Sequence, residues 1–123
     1  MTLRQGMLAL ALVCGLAGGA LAGSGPVQVY GNWAHGELAA AHNSGGPSYI
    51  GCWSNSDLTG PPLYYCEAND GAGGFNFCYT QSTNLGATLQ SITSTSDLQF
   101  GWAPDHACVW VTVSNNSHSA GRR

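Results

Sequence analysis

The sequence contains no lysine, and its only permanently basic side chains are those of Arg4, Arg122 and Arg123. Proteins bind the phosphates of nucleic acids and anionic lipids mainly through lysine and arginine. We therefore expect neither nucleic acid nor an anionic membrane surface as a partner. The sequence has six acidic residues but only these three arginines, so ion pairs cannot hold the fold together. Packing, backbone hydrogen bonds and covalent links must do so instead.

Motifs of catalysis and of metal binding are also missing. His35 and His42 do not have the His-Glu-x-x-His spacing of zinc proteases. Asp105 and His106 are adjacent, and no serine lies in a Gly-x-Ser-x-Gly elbow, so a hydrolytic triad is not indicated. The acidic segment 67–71 departs from the calcium-loop pattern and is typical of an ordinary turn. We expect no enzyme activity, no metal site and no cofactor.

The first 22 residues predict a secretory signal peptide. Arg4 precedes an uncharged apolar run at 6–19, and Ala20-Leu21-Ala22 supplies the small residues that a signal peptidase requires. Glycines interrupt the run, which is shorter than the roughly 20 residues of a membrane-spanning helix. We therefore expect cleavage after Ala22, loss of Cys14 with the leader, and no stable membrane anchor. The mature protein is then secreted or periplasmic.

The part after Ala22 is long enough for one domain with a modest core, and it has a net charge of −4. We predict a loosely ordered glycine-rich arm at 23–47, an α+β disulfide domain at 48–114 and a polar tail at 115–123. Within the arm, only a short strand at 27–30 and a helical turn at 37–42 are indicated. The tail begins with a formal acceptor for N-glycosylation, Asn115-Asn116-Ser117.

Five segments of aromatic, β-branched or alternating residues predict strands. They lie at 48–53, 63–68, 75–80, 98–102 and 108–113, with turn signals at 69–74 and 103–106. Leu85, Leu89 and Ile92 have helical spacing behind Ser82, which can cap a helix. The predicted fold is α+β: a mostly antiparallel sheet of about five strands in the order β-β-β-α-β-β, with one short helix and disulfide links.

Four cysteines remain after cleavage, Cys52, Cys66, Cys78 and Cys108. An even number in a small exported domain predicts two disulfides. A zinc site is disfavoured because no two of these cysteines form the close Cys-x-x-Cys pair that such sites use.

Hairpin symmetry limits how these cysteines pair. Cys66 and Cys78 are centred on the 69–74 turn, and Cys52 and Cys66 on the preceding loop, so the three form a row across neighbouring strands. A Cys52–Cys78 bond is disfavoured because next-but-one strands lie about 10 Å apart. Two pairings are left open: Cys66–Cys78 with Cys52–Cys108, or Cys52–Cys66 with Cys78–Cys108. We favour the first slightly, since the shorter turn fixes its register better.

From residue 48 to residue 113 the chain resembles a group of small exported bacterial proteins. The resemblance rests on Tyr-Ile-Gly-Cys-Trp at 49–53, on Cys66-Glu67-Ala68 with Cys78, and on Leu-Gln-Phe-Gly-Trp at 98–102 followed by Cys108. No activity is known for that group, so the resemblance implies no functional residues.

Aromatic residues are numerous for so short a chain. If the cysteine row lies on one face of the sheet, Trp53, Tyr65, Phe77 and Tyr79 lie on the other. A helix that covers only the cysteine face would leave these rings exposed to stack on sugars or to bind a protein. The alternative, to which we give more weight, is that they form the core, since strands are rich in aromatic residues.

We therefore expect a non-enzymatic exported binding or interaction domain. The sequence does not identify its partner, which can be a glycan or a protein. A carbohydrate-binding module that uses the four aromatic residues is the main alternative. A secreted inhibitor comes next, and a small hydrolase is last.

Overall fold

A computed structural model describes residues 25–116 and shows two sheets and two short helices. The strands are β1 Val27–Val29, β2 Trp33–Glu37, β3 Tyr49–Asn55, β4 Leu63–Asn69, β5 Phe75–Thr80, β6 Asp97–Trp102 and β7 Cys108–Ser114. The helices are α1 Leu38–Asn43 and α2 Thr83–Leu89. The predicted signal peptide, its cleavage site and Cys14 lie outside the described residues.

The two sheets are antiparallel and share one core. Their strand orders are β1-β2-β6-β7 and β3-β4-β5. Fully buried residues come from both sheets: Val27, Ala34, Leu98, Phe100, Cys66, Ala68 and Cys78. The core therefore lies between two sheet faces, as in other layered β structures.

The predicted class is confirmed in its coarse form, since the fold is mostly antiparallel sheet with helices and two disulfides. The predicted count is wrong: residues 25–116 form seven strands in two sheets and two helices, instead of about five strands and one helix. The segment 23–47, which we predicted as a loosely ordered arm, contains β1, β2 and α1. The short strand indicated at 27–30 and the helical turn indicated at 37–42 correspond to β1 and α1, whereas β2 was not predicted. Val27 and Ala34 of that segment are fully buried. Since β2 pairs with the distant β6, no local pattern indicated this strand.

The predicted helix is confirmed as α2. Ser82 caps its start, with its Oγ accepting a hydrogen bond from the Leu85 N–H at 3.2 Å. Leu89 is buried, and Leu85 and Ile92 pack against the core. The apolar residues whose spacing predicted the helix therefore face the sheets.

The turn between β4 and β5 is closed by its own side chains. Asn69 Oδ1 accepts from the Gly71 N–H at 2.7 Å, and Asp70 Oδ1 accepts from Ala72 and Gly74 at 2.8 and 2.9 Å. Gly71 has a φ of +79°, a conformation that glycine adopts without a steric penalty. These contacts confirm the turn that we predicted at 69–74.

The predicted row of three cysteines is confirmed, because Cys66 lies opposite both Cys52 and Cys78. The pairing that we favoured is wrong: the bonds are Cys52–Cys66 and Cys78–Cys108. The Cα atoms of Cys52 and Cys66 are 4.0 Å apart, which marks the close, non-hydrogen-bonded kind of cross-strand pair. In the middle strand β4, the backbone N–H and C=O of Cys66 therefore point toward Cys78 in β5. Cys66 and Cys78 thus form the wider, hydrogen-bonded kind of cross-strand pair.

Asn115, at the start of the predicted tail, is held by the folded domain. Its Nδ2 donates to the Ser91 carbonyl at 2.9 Å, and its Oδ1 accepts from the Ser96 hydroxyl. The tail residues 117–123 lie outside the described part of the chain. Neither helix in the described range 25–116 is long and apolar enough to cross a membrane.

The two disulfides differ in the length of chain that they close, with sequence separations of 14 and 30 residues. Loop-closure entropy predicts that replacing both cysteines by alanine costs about 3 kcal/mol for Cys52–Cys66 and about 4 kcal/mol for Cys78–Cys108. Denaturant unfolding of the two double variants measures this order. Peptide mapping of the oxidised protein gives the connectivity, and a Cys66–Cys78 peptide would contradict this fold.

Gly86 lies inside α2, where alanine normally stabilises a helix by up to about 1 kcal/mol. A Cβ at this position would overlap the ring of Tyr64. We therefore expect Gly86→Ala to lower the free energy of unfolding by about 1–3 kcal/mol through overpacking. Gly51→Ala is the matched control, because a Cβ there meets no atom within 4 Å. Thermal melts that rank Gly86→Ala at or above the wild type would show that α2 does not approach Tyr64 so closely.

Candidate functional site

The sheet β3-β4-β5 has one buried face and one exposed face. Its inward side chains belong to the core, and α2 packs on this inner side against Tyr64. Its outward side chains include Tyr49, Trp53, Phe75 and Tyr79, whose exposed fractions are 42%, 49%, 44% and 43%. Residues 25–116 therefore provide no further layer over this outer face.

Strand register places nine outward positions in three rows. Read from β3 to β5, the rows are Tyr49-Asn69-Phe75, Gly51-Glu67-Phe77 and Trp53-Tyr65-Tyr79. Six of these positions are aromatic, and Glu67 is at the centre. We call this surface the aromatic face. It contains Trp53, Tyr65, Phe77 and Tyr79, which we named as possible ligand-stacking rings while giving more weight to a place in the core. The core cluster includes none of the four, and Trp53 and Tyr79 are exposed.

Rings from three strands and one turn form a continuous stack along this face. Ring centroids are 4.9 Å apart for Trp53 and Tyr65, 5.4 Å for Tyr65 and Phe77, and 4.1 Å for Phe77 and His106. The corresponding interplanar angles are 25°, 17° and 4°. The four rings are therefore stacked in sequence, with nearly parallel planes.

This orientation limits which parts of the rings a ligand can reach. Two rings with nearly parallel planes either stack, one above the other, or lie edge to edge in one plane. The centroid distances measured here are too short for the edge-to-edge arrangement, so the rings are stacked. Tyr65 and Phe77 each have a neighbouring ring on both sides, so they present their edges to solvent. The outer side of Trp53 borders the open edge of the sheet, since β3 is an edge strand.

His106 completes the stack, and we did not predict this role for it. It lies in the β6–β7 turn with a φ of +69°, a backbone conformation that is uncommon outside glycine. Its Nδ1 is 3.1 Å from the Phe77 carbonyl oxygen, and its own carbonyl accepts from the Tyr79 N–H at 2.9 Å. These bonds fix the turn against the edge of β5. The sequence carries no local signal for a contact between such distant segments.

Tyr79 lies on the same face as the stack but outside it. It is directly opposite Tyr65, and its hydroxyl donates to the Asp105 carbonyl at 3.2 Å. The structure thus brings Trp53, Tyr65 and Phe77 together in one stack and places Tyr79 beside them.

Glu67 supplies the charge of the aromatic face. In the described part of the chain its carboxylate has no arginine or lysine partner, because the sequence has neither residue between 5 and 121. Burial, the Glu67 carboxylate and the Tyr49 phenol together raise the pKa of the Tyr65 hydroxyl. Glu67 therefore makes this aromatic surface negative.

The titratable groups away from the aromatic face include one ion pair. His35 Nε2 is 3.2 Å from Asp97 Oδ1 on the other sheet. Among residues 25–116, no three histidine, cysteine, aspartate or glutamate side chains are close enough to hold a metal ion. A groove of about 670 Å³ between α1 and the start of β3 contains one imidazole, that of His42. The aromatic face is the feature that these observations favour as a binding site.

No protein-family model, curated protein or solved structure matches this chain. The resemblance to small exported bacterial proteins therefore stays a prediction. What can be inferred about function comes from the geometry of the aromatic face.

Proposed function

We propose that this chain is a non-enzymatic exported binding domain and that it contacts its partner through the aromatic face. The observation that carries the proposal is the exposure of four large rings, those of Tyr49, Trp53, Phe75 and Tyr79, on one sheet face. Contiguous exposed apolar surface of this kind is typical of interaction sites. Aromatic residues are also enriched where proteins contact one another.

Rigidity supports the same proposal. The Cys52–Cys66 bond joins two of the three strands directly beneath the face, and the β6–β7 turn is bonded to the third. A surface that is already ordered loses little conformational entropy when it binds. The aromatic face is therefore suited to binding without rearrangement.

The proposed location is outside the cytosol, in a secreted or periplasmic state. Two disulfides are typical of proteins that fold in an oxidising compartment. The leader predicted at 1–22 supplies the route of export.

Binding of a carbohydrate is a second candidate, favoured by the position of Trp53. Its indole is half-exposed, and its outer side borders the open edge of β3 beside Ser54 and Asn55. Sugar rings stack on flat aromatic surfaces, and neighbouring hydroxyl and amide groups hydrogen-bond them. Stacking of Trp53, Tyr65 and Phe77 on one another leaves less ring area open to a sugar than separate rings would.

To test the face as a contact surface, Phe75 is replaced by photoreactive benzoylphenylalanine in the secreted protein. Irradiation of the culture medium of the producing organism should give a covalent adduct, identified by mass spectrometry. Tyr30 is the matched control position, because it is 41% exposed but lies next to β1 of the other sheet. Adducts at Tyr30 and none at Phe75 would contradict the proposed surface.

The carbohydrate candidate predicts a change in tryptophan fluorescence when the domain meets a binding glycan in a polysaccharide panel. Trp53→Ala should abolish that change, since it removes the open ring. Tyr30→Ala, which removes a ring of similar exposure elsewhere, should leave it intact. A panel without any response eliminates carbohydrate binding but leaves a protein partner as the proposal.

A further inference from the structure

We propose that the partner is an extended peptide that pairs with the open edge of β3 and places one arginine or lysine side chain over Gly51, against Glu67. This inference names the ligand class of the aromatic face and rests on the function proposed above. Four features of the described residues support it: charge, free space, unpaired backbone and ring orientation.

Charge complementarity favours a cationic group. Glu67 is at the centre of six aromatic residues, and no described side chain is an arginine or a lysine that would neutralise it. A guanidinium or ammonium group is attracted by a carboxylate and donates charge-assisted hydrogen bonds to it. The ligand must supply this charge, because the domain itself does not.

Free space beside Glu67 provides the entry. Gly51 lies directly opposite Glu67 on the edge strand, and a Cβ built at Gly51 meets no atom within 4 Å. The rings of Tyr49 and Trp53 lie on the same strand two residues to either side. A long side chain can therefore cross β3 at Gly51 between two aromatic residues.

Unpaired backbone on β3 favours a peptide as the ligand. Because Cys52 and Cys66 form the close kind of pair, the N–H and C=O of Cys52 point away from β4, as do those of Ser54 two residues on. Among the described residues 25–116, no other strand pairs with this side of β3. An exposed strand edge is a template for an added strand. A cleft of about 130 Å³ lies along it, lined by Cys52, Trp53, Ser54, Tyr64, Leu89 and Gln90.

Strand geometry then fixes where the cationic residue lies. An added strand runs about 4.8 Å from β3, and its side chains alternate between the two faces. The residue opposite Gly51 is on the aromatic face, in a close pair with a position that has no side chain. An arginine or lysine there is two strand spacings from Glu67, which these long side chains can span together with that of the glutamate.

Ring orientation argues against a sugar as the main ligand. Tyr65 and Phe77 each stack between two neighbouring rings, so of the stacked aromatic residues on the three strands only Trp53 has a side without a ring against it. A neutral sugar would also leave the Glu67 charge unused. A basic extended peptide pairs with the open edge of β3, passes its cationic side chain over Gly51 and binds the Glu67 carboxylate.

The test uses short capped peptides of alternating threonine and valine with one central arginine. The matched peptide carries citrulline, which has the same shape without the charge. By calorimetric titration, we expect the arginine peptide to bind the disulfide-bonded domain at least about tenfold more tightly than the citrulline peptide. In Glu67→Gln, the difference between the two peptides should disappear.

Three controls separate the parts of the inference. Asp57→Asn changes the net charge by the same amount at a fully exposed loop residue, so it should keep the preference for arginine. Gly51→Val should abolish that preference by filling the gap, without lowering the melting temperature. N-methylation of the peptide amides that pair with Cys52 should weaken the binding of both the arginine and the citrulline peptide, because it removes the backbone hydrogen bonds.

The outcomes also distinguish this inference from the function on which it rests. Equal binding of the arginine and citrulline peptides, or no binding of either, overturns the cationic peptide as the ligand. Tighter binding of glucosamine oligomers than of the arginine peptide does the same. The proposed contact surface would still stand in each case if cross-links form at Phe75. Absence of those cross-links, with the peptide preference intact, would overturn the natural partner but not the chemistry of the site.

Discussion

The register of the three-stranded sheet is the constraint on which the candidate site depends. Side chains alternate along a strand, so a shift of one residue would turn every outward ring into the core. The Cys52–Cys66 bond prevents that shift between β3 and β4, because each cysteine lies directly opposite the other. One covalent link on the buried face thereby fixes which residues form the exposed face.

Much of this sheet could be predicted from the sequence because its signals are local. The turn at 69–74 fixes the β4–β5 hairpin, and the spacing of Cys52, Cys66 and Cys78 gives the row across three strands. The choice of disulfide could not be predicted in the same way. It depends on which cross-strand pair is of the close kind, and hairpin symmetry alone does not reveal that.

In the four-stranded sheet, sequence patterns fail at β2. The first two strands of this sheet are only three and five residues long, and β2 pairs with β6 from much later in the chain. Their stability comes from burying Val27 and Ala34 in a core that the rest of the chain builds. Contacts of this kind are determined by tertiary packing rather than by local preference.

The same distinction applies to the site. Alternation along β3, β4 and β5 is enough to place Trp53, Tyr65, Phe77 and Tyr79 on one face, and the structure places them there. Alternation says nothing about how the rings turn about their side-chain bonds. The parallel stack, and its extension by His106, follow from contacts across strands and turns that no spacing encodes.

The scarcity of cationic side chains affects both the stability of the fold and the charge of the surface. Its fold needs no ion pairs, because the two disulfides and a core shared by both sheets supply the stability. Its surface, however, keeps acidic groups such as Glu67 without a cationic partner among residues 25–116. A carboxylate exposed alone in water is well hydrated, but one surrounded by aromatic rings loses part of that hydration. In the proposed complex, the cationic side chain of the peptide makes up for that lost hydration at the centre of the aromatic face.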